Sequence, residues 1–297
     1  MGKQKKAKLV QLLKKFTAPV AKNQKKPLVS TATSNGSKEK SKRIAYASKT
    51  TSSAATTPTV THVKHIQSKH SFQFEADDSV LLVGEGNFSF AASLMEELSG
   101  SIALTATCFD SADVVNSKYP DAQEFIAELA DWEATVHYNV DATKLQSVKA
   151  LRGKRFTKIL FNFPHVGGGI KDQDRNVRQN QALISGFLSS ALGFMSSIKG
   201  FGDSKNGVLF VTTKSGMPYE LWDVKALAKA NNHLKCLKSF VFRPEAFPRY
   251  FHRRTIGFAE GLSATDNSEI TRLPSRTFAF VHIDSKTSAD NDGTDSS

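Results

Sequence analysis

From about Ser71 onward, short apolar runs alternate with segments whose apolar residues recur at helical spacing. The runs Val80–Gly84, Ile102–Phe109, Thr135–Val140, Lys158–Phe163, Val208–Thr213, Leu237–Phe242 and Thr277–Ile283 predict strands. Between them Phe88–Leu98, Ser111–Leu129 interrupted at Pro120, Lys144–Leu151, Gln179–Ile198 and Pro218–Ala230 predict amphipathic helices. Five alternations of strand and helix argue an α/β fold whose parallel sheet carries helices on both faces. The last two runs are joined by a loop of about thirty residues without helical periodicity. Such a link permits an antiparallel last strand.

The first seventy residues lack this texture. The chain has 297 residues and a formal net charge of +12, but the charge is not evenly spread. Residues 1–70 hold sixteen Lys and Arg against the single acid Glu39; residues 71–283 balance; residues 284–297 hold four Asp against one Lys. A segment so rich in Lys, Ser, Thr and Ala, with Phe16 and Tyr46 as its only aromatics, cannot offset its chain entropy by burial. The expected organisation is therefore a disordered Lys-rich tail (1–70), one globular domain (71–283) and a disordered acidic end (284–297). Leu9, Leu12, Leu13 and Phe16 sit at helical spacing among lysines, which suits a nuclear or nucleolar address with RNA affinity, a partner-bound helix or a mitochondrial presequence. Presequences favour Arg, whereas this tail has only Arg43 and its basic clusters continue to residue 43, so the nuclear reading is preferred. Two cysteines, Cys108 and Cys236, exclude a disulfide framework and a structural zinc site, and no apolar run is long enough for a membrane span.

Open parallel sheets bind ligands at the carboxyl ends of their strands, and four such ends carry candidate chemistry. The first, SVLLVGEGNFSF, runs from an apolar strand into Gly84, Glu85, Gly86, Asn87, Phe88 and Ser89. A glycine turn there lets the backbone approach a ligand closely, and Ser89 in place of a third glycine suits a cofactor carrying an amino-acid carboxylate better than a pyrophosphate. The second is Asp110, able to accept ribose hydroxyls or to cap the next helix with Ser111; Asp141, after the third strand, is able to bind an adenine amino group or to cap. The third is NFPH followed by Gly167, Gly168 and Gly169, where Asn162 ends an apolar strand beside Pro164. Burying such an amide is costly unless its hydrogen bonds are used. The fourth is RPEAFPRYFHRRTIGF, in which Arg243, Arg249, His252, Arg253 and Arg254 interleave with Phe247, Tyr250 and Phe251, a combination suited to phosphate pairing and base stacking. Arg175 and Arg178, with Lys171, enter the same edge; Tyr219 and Trp222 are further stacking candidates, with helix packing the preferred reading of Trp222.

Five βα units closed by an antiparallel strand resemble the Rossmann-like class I methyltransferases that use S-adenosylmethionine. Asn162 and Pro164 resemble the Asn/Asp-Pro-Pro-aromatic signature of methyltransferases acting on planar nitrogen, with Phe163 and His165 at its second and fourth positions. The strings LLVGEGNFSFAASL, NFPHVGGG, QDRNVRQNQALISGF, TTKSGMPYELW and FPRYFHRRTIGF, in this order, resemble the eukaryotic nucleolar family that methylates N3 of a uridine in large-subunit ribosomal RNA. Many members have Asp at the position of Asn87, and often Pro-Gly where this chain has Pro248 and Arg249. The resemblance implies S-adenosylmethionine as cofactor, ribosomal RNA or a pre-ribosomal particle as partner, a nucleolar location, and neither metal nor membrane. It implies that Asn162 and the carbonyls near Pro164 orient the acceptor ring. N3 of uridine carries a proton that transfer must remove, and His165, the only ionisable side chain in the motif, is the candidate base, with Asp174 a second. A nicotinamide-dependent oxidoreductase and a non-catalytic assembly factor remain alternatives.

Overall fold

The computed structural model describes residues 72–196, 206–257 and 266–285. The basic tail, the helical spacing at Leu9–Phe16, the last two residues of the predicted helix Gln179–Ile198 and all but the first two residues of the acidic end lie outside them.

Seven strands form one sheet: β1 (Ser79–Val83), β2 (Ala103–Thr107), β3 (Thr135–His137), β4 (Lys158–Asn162), β5 (Val208–Thr213), β6 (Leu234–Val241) and β7 (Arg276–His282). Their order is β3-β2-β1-β4-β5-β7-β6. All pairs from β3 to β5 are parallel, while β7 runs antiparallel to both β5 and β6, which leaves β6 parallel to the first five. Strand order reverses between β1 and β4, and the crevice at such a reversal is where an open α/β sheet binds ligands.

The helices are α1 (Ser89–Glu97), α2 (Ala112–Lys118), α3 (Ala122–Asp131), α4 (Gln173–Leu192), α5 (Val224–Ala230) and α6 (Ser268–Thr271). Central strands read as unbroken apolar runs because both their faces are covered. Val80, Leu82 and Leu160 face a core shared with α1 and α3, whereas Leu81, Val83, Ile159 and Phe161 face one shared with α4 and α5. The small buried residues Ser89, Ala91, Ala92 and Ser93 let α1 lie close against the sheet. Phe72 and Phe74, which the strand and helix patterns pass over, enter an aromatic cluster with Phe210, Phe240, Phe242 and Phe247.

Several elements differ from expectation for local reasons. α4 starts at Gln173 because the Asp172 side chain accepts from the Arg175 amide at 2.6 Å, and this puts Arg175 and Arg178 on the helix. Lys144–Leu151 folds as two short 3-10 turns, Ala142–Ser147 and Lys149–Leu151, with Lys144 out of helical conformation. β3 ends three residues early, where Asn139 turns left-handed at φ 57°. β6 begins three residues early, since a register shift between Cys236 and Lys238 breaks its alternation.

Candidate functional site

The two glycines of the turn after β1 have different jobs. Gly84 has φ +73°, and a Cβ there would lie 2.3 Å from the Phe161 ring, so the fold itself demands glycine. A Cβ on Gly86 would meet nothing closer than Arg253 Cβ at 3.4 Å, an ordinary contact. Both line a cavity of about 260 Å³ at the switch point, together with Glu85, Asn87, Asp110 and Asp141. Phe88 and Ser89 are buried and do not line it. Ser89 and Asn87 instead tie the turn down: the Asn87 amide donates to Asp121 at 2.9 Å and its oxygen accepts from the Ser89 hydroxyl at 2.7 Å. The Ser89 hydroxyl also accepts from the Phe251 amide at 3.0 Å.

Burial of the Glu85 carboxyl pushes its pKa up to about 7, opposed by one long bond from the Ala91 amide at 3.3 Å. Asp110 does not cap α2, since Ser111 accepts from Val114 there; its carboxylate receives Lys118 at 2.7 Å. Asp141 does cap, accepting from the amide and the hydroxyl of Thr143 at 2.9 and 2.7 Å, and it also lines the cavity. Phe109 at the cavity rim is 68% exposed. Sequence reasoning passed over it because it reads as the last residue of a strand.

Asn162 closes β4 opposite Thr212 of β5. Its Oδ1 accepts from the Thr212 hydroxyl at 2.8 Å, and the Thr212 oxygen lies 2.9 Å from the Thr277 hydroxyl on β7. Its Nδ2 is buried without a hydrogen-bond partner, and the residue lines the cavity. Leaving such a donor unsatisfied costs about 1–3 kcal/mol, so a ligand acceptor is the natural partner. The next residue, Phe163, is left-handed at φ 53°, a strained conformation for a side chain of its size and one that clusters at functional sites.

A family model described as BMT5-like, rRNA (uridine-N3-)-methyltransferase, matches residues 81–254, from the first strand through the arginine-rich loop. The chain belongs to this BMT5-like family. It is 33% identical over 227 residues to the 25S rRNA (uridine(2634)-N(3))-methyltransferase of Saccharomyces cerevisiae, covering 61% of this chain and 67% of that protein. It is 32% identical over 196 residues to heavy metal-associated isoprenylated plant protein 41 of Arabidopsis thaliana, covering 66% of this chain and 35% of that one. Over 111 residues it is 40% identical to human ferredoxin-fold anticodon-binding domain-containing protein 1, 37% of this chain and 17% of that one. With β7 inserted antiparallel between β5 and β6, the methyltransferase layout also replaces the dehydrogenase alternative.

In this BMT5-like chain Arg249, Arg253 and Arg254 are paired with acidic side chains of the fold. Arg253 pairs with Asp121 at 2.9 Å and Arg254 with Glu269 at 2.8 Å. Arg249 reaches Glu96 at 3.5 Å and Glu128 at 2.5 Å and lies over the Phe125 ring. Tyr250 is 7% exposed and edge-on to Phe90, so its ring offers no face for stacking a base. Burial, with Lys214 nearby, drives His252 down to about 3, which keeps it neutral and unable to counter a phosphate. The Tyr119 hydroxyl and the Lys118 amine donate to the carbonyls of Arg254 and Thr255 at 2.9 and 3.0 Å, strapping the loop to α2 as a wall of the cavity. Arg243, Arg175 and Arg178 are exposed and line neither this cavity nor its neighbour.

A second cavity of about 250 Å³ adjoins the first and shares Phe163, His165, His252, Arg253 and Thr255 with it. Pro164, Gly167, Lys214, Tyr219 and Trp222 complete much of its lining. Trp222 packs in the core at 2% exposure, as preferred. His165 has its pKa lowered by burial and by Lys214 and Arg254. Its Nδ1 accepts from the Gly167 amide at 2.9 Å, so the neutral ring carries its proton on Nε2. That tautomer presents a donor, contrary to the expected base. Asp174, the second candidate, is exposed in the first turn of α4 and lines neither cavity. Among the described residues no cluster of His, Cys, Asp and Glu suits a metal ion, and no helix is long and apolar enough to cross a membrane.

Proposed function

We propose that this chain transfers a methyl group from S-adenosylmethionine to N3 of a uridine in large-subunit ribosomal RNA during ribosome assembly. The observation that carries this reading is the buried, unpartnered amide of Asn162, which ends β4 and lines the first cavity, in a chain of the BMT5-like family.

The first cavity fits the cofactor. Gly86 leaves room for close approach, Phe109 offers an apolar surface, Asp110 an acceptor, and Glu85 a carboxyl suited to a cationic ligand. When bound, S-adenosylmethionine supplies an electrophilic methyl on a sulfonium. The protein then has mainly to position and desolvate. Asn162 and the strained turn at Phe163–Pro164 hold the acceptor ring in plane, and residues of the arginine-rich loop form another wall of the cleft. The acceptor must be unstacked or single-stranded to enter. Exposed Arg175 and Arg178 at the start of α4, with Arg243 and the lysines of residues 1–70, supply phosphate contacts, and that tail suits a nucleolar location. Residues 71–283 act as the cofactor-binding domain, without need of the tail.

The test incubates the full chain with a transcript of large-subunit ribosomal RNA and labelled cofactor, then digests the RNA and resolves its nucleosides by mass spectrometry. N3-methyluridine is the expected product. Methyl on a ribose 2′-oxygen or on cytosine C5 would overturn the assignment, and absence of S-adenosylhomocysteine binding by calorimetry would overturn the cofactor site.

A further inference from the structure

Resting on the uridine reading above, we propose that the acceptor site is built from hydrogen-bond donors and does not use His165 as a base. Asn162 Nδ2 and His165 Nε2 donate to the two carbonyl oxygens that flank N3, and this pair both selects uracil and makes its N3 acidic. Thr212 and Thr277 are positioning residues that set the polarity of the Asn162 amide.

Two independent hydrogen-bond chains fix the donors. The Thr212 hydroxyl has one proton, which goes to Asn162 Oδ1 at 2.8 Å, so its contact at 2.9 Å with Thr277 is one in which Thr277 donates. With Oδ1 so occupied, the amide meets the ligand through Nδ2, which no protein group accepts. On the other side, the Gly167 amide occupies His165 Nδ1 and leaves Nε2 with the proton. Both residues line the first cavity, and His165 lines the second as well.

Uracil places acceptors on both sides of N3, whereas cytosine replaces one of them with an amino donor. Two donors therefore pair with a uracil edge and leave a buried donor facing a donor on cytosine, a mismatch that rejects a base strongly. The same bonds strengthen as N3 loses its proton and charge spreads onto the two oxygens. The charged groups around this edge act in the same sense. Lys214 and Arg254 lie close enough to depress the His165 pKa, and the two cations share the single Glu269 carboxylate at 3.1 and 2.8 Å. In the resulting step N3 gives its proton to water, its lone pair forms the new bond to the methyl carbon, and the electron pair of the breaking carbon–sulfur bond remains on sulfur.

The experiment uses the full chain and a short transcript carrying the mapped uridine, with a second transcript carrying cytidine in its place. Thr212→Val is expected to lower kcat on uridine by about tenfold while leaving S-adenosylhomocysteine affinity unchanged, and Thr212→Ser to restore it. Asn162→Asp, isosteric but without the donor, should lose on the order of a hundredfold and narrow the preference for uridine over cytidine. Wild-type kcat should rise with pH towards the ionisation of N3, and His165→Gln, which keeps a donor but cannot be a base, should be slower yet keep that slope. The ¹⁵N shifts of His165 should report Nε2–H in the wild-type chain. Full activity in Thr212→Val, a flattened pH slope in His165→Gln, or an Nδ1–H tautomer would each overturn the proposal. A wild-type chain that makes no N3-methyluridine at all would instead overturn the uridine reading on which it rests.

Discussion

The cleft wall formed by the ends of β1 and β4 keeps polar groups in reserve, whereas the facing wall at residues 250–255 joins its charges to the fold. Asn162 Nδ2 is buried without a partner, and the half-buried Glu85 has a single long hydrogen bond at its carboxyl. Across the cleft Arg253 is paired with Asp121 and Arg254 with Glu269, and the Tyr250 ring is packed away. Sequence chemistry points the other way, since the arginine-rich loop is the more conspicuous string. A buried donor left unsatisfied on a residue that lines a cavity, as at Asn162, marks where a ligand can complete the structure.

The largest effect should come from deleting the unsatisfied donor. Asn162→Ala is expected to cut turnover on the order of a hundredfold or more, the consequence of losing about 3 kcal/mol of transition-state positioning. Affinity for S-adenosylhomocysteine by calorimetry should remain near wild type, because the glycine turn is untouched. Equal turnover in this variant would erase the distinction between the two walls.

Next comes Glu85. Its folded pKa, raised from 4.5 to about 7, lies above its unfolded value, so between those two pH values the folded chain binds more protons than the unfolded one. Stability is therefore fully present below about pH 4.5 and falls as pH rises through 7, by at most about 3 kcal/mol. Glu85→Gln should flatten this dependence of the melting temperature on pH. It should also weaken binding of the cationic cofactor more than that of the neutral product S-adenosylhomocysteine, since only the former gains from a carboxylate. A melting profile that falls across pH 5–8 equally in both chains would show that Glu85 is not the group responsible.

The contrast also explains what the sequence could and could not tell. Strand positions, the glycine turn and Asn162 were legible because each rests on neighbours within a few residues: an apolar run, a β-turn, a polar group at a strand end. The fate of Arg253 depends on Asp121, 132 residues earlier and just before α3, and that of Arg254 on Glu269 beyond the end of β6. No local pattern announces such pairings. Thr212 and Thr277 escaped notice for the same reason, since as residues of β5 and β7 they look like ordinary β-branched strand formers until register sets them beside each other. The His165 tautomer likewise waits on a backbone amide two residues away, whose direction depends on the left-handed turn at Gly167.

Arginines on the two kinds of surface should separate cleanly. Arg253→Ala removes a partly buried partner of Asp121 and a cation over the Phe251 ring, so stability should fall by about 1–2 kcal/mol. Cofactor affinity should weaken with it, because the Arg253 side chain lines the first cavity. Thermal melting and calorimetry check both, and unchanged values would mean that this wall is not scaffold.

The smallest effect is expected at Arg178, exposed on α4 beyond the lip of the cleft. Arg178→Ala should leave the melting temperature and the affinity for S-adenosylhomocysteine unchanged, because its side chain lines neither cavity. If it contacts phosphate, its loss lowers the slope of log affinity against log salt by about one, as each phosphate contact releases about one counterion. The measurement is RNA binding across a salt series, made side by side with Arg253→Ala. Arg253 should change stability without changing the slope, and Arg178 the slope without changing stability. An unchanged slope in Arg178→Ala together with a reduced slope in Arg253→Ala would reverse the assignment, making the arginine-rich wall the RNA surface despite its internal ion pairs.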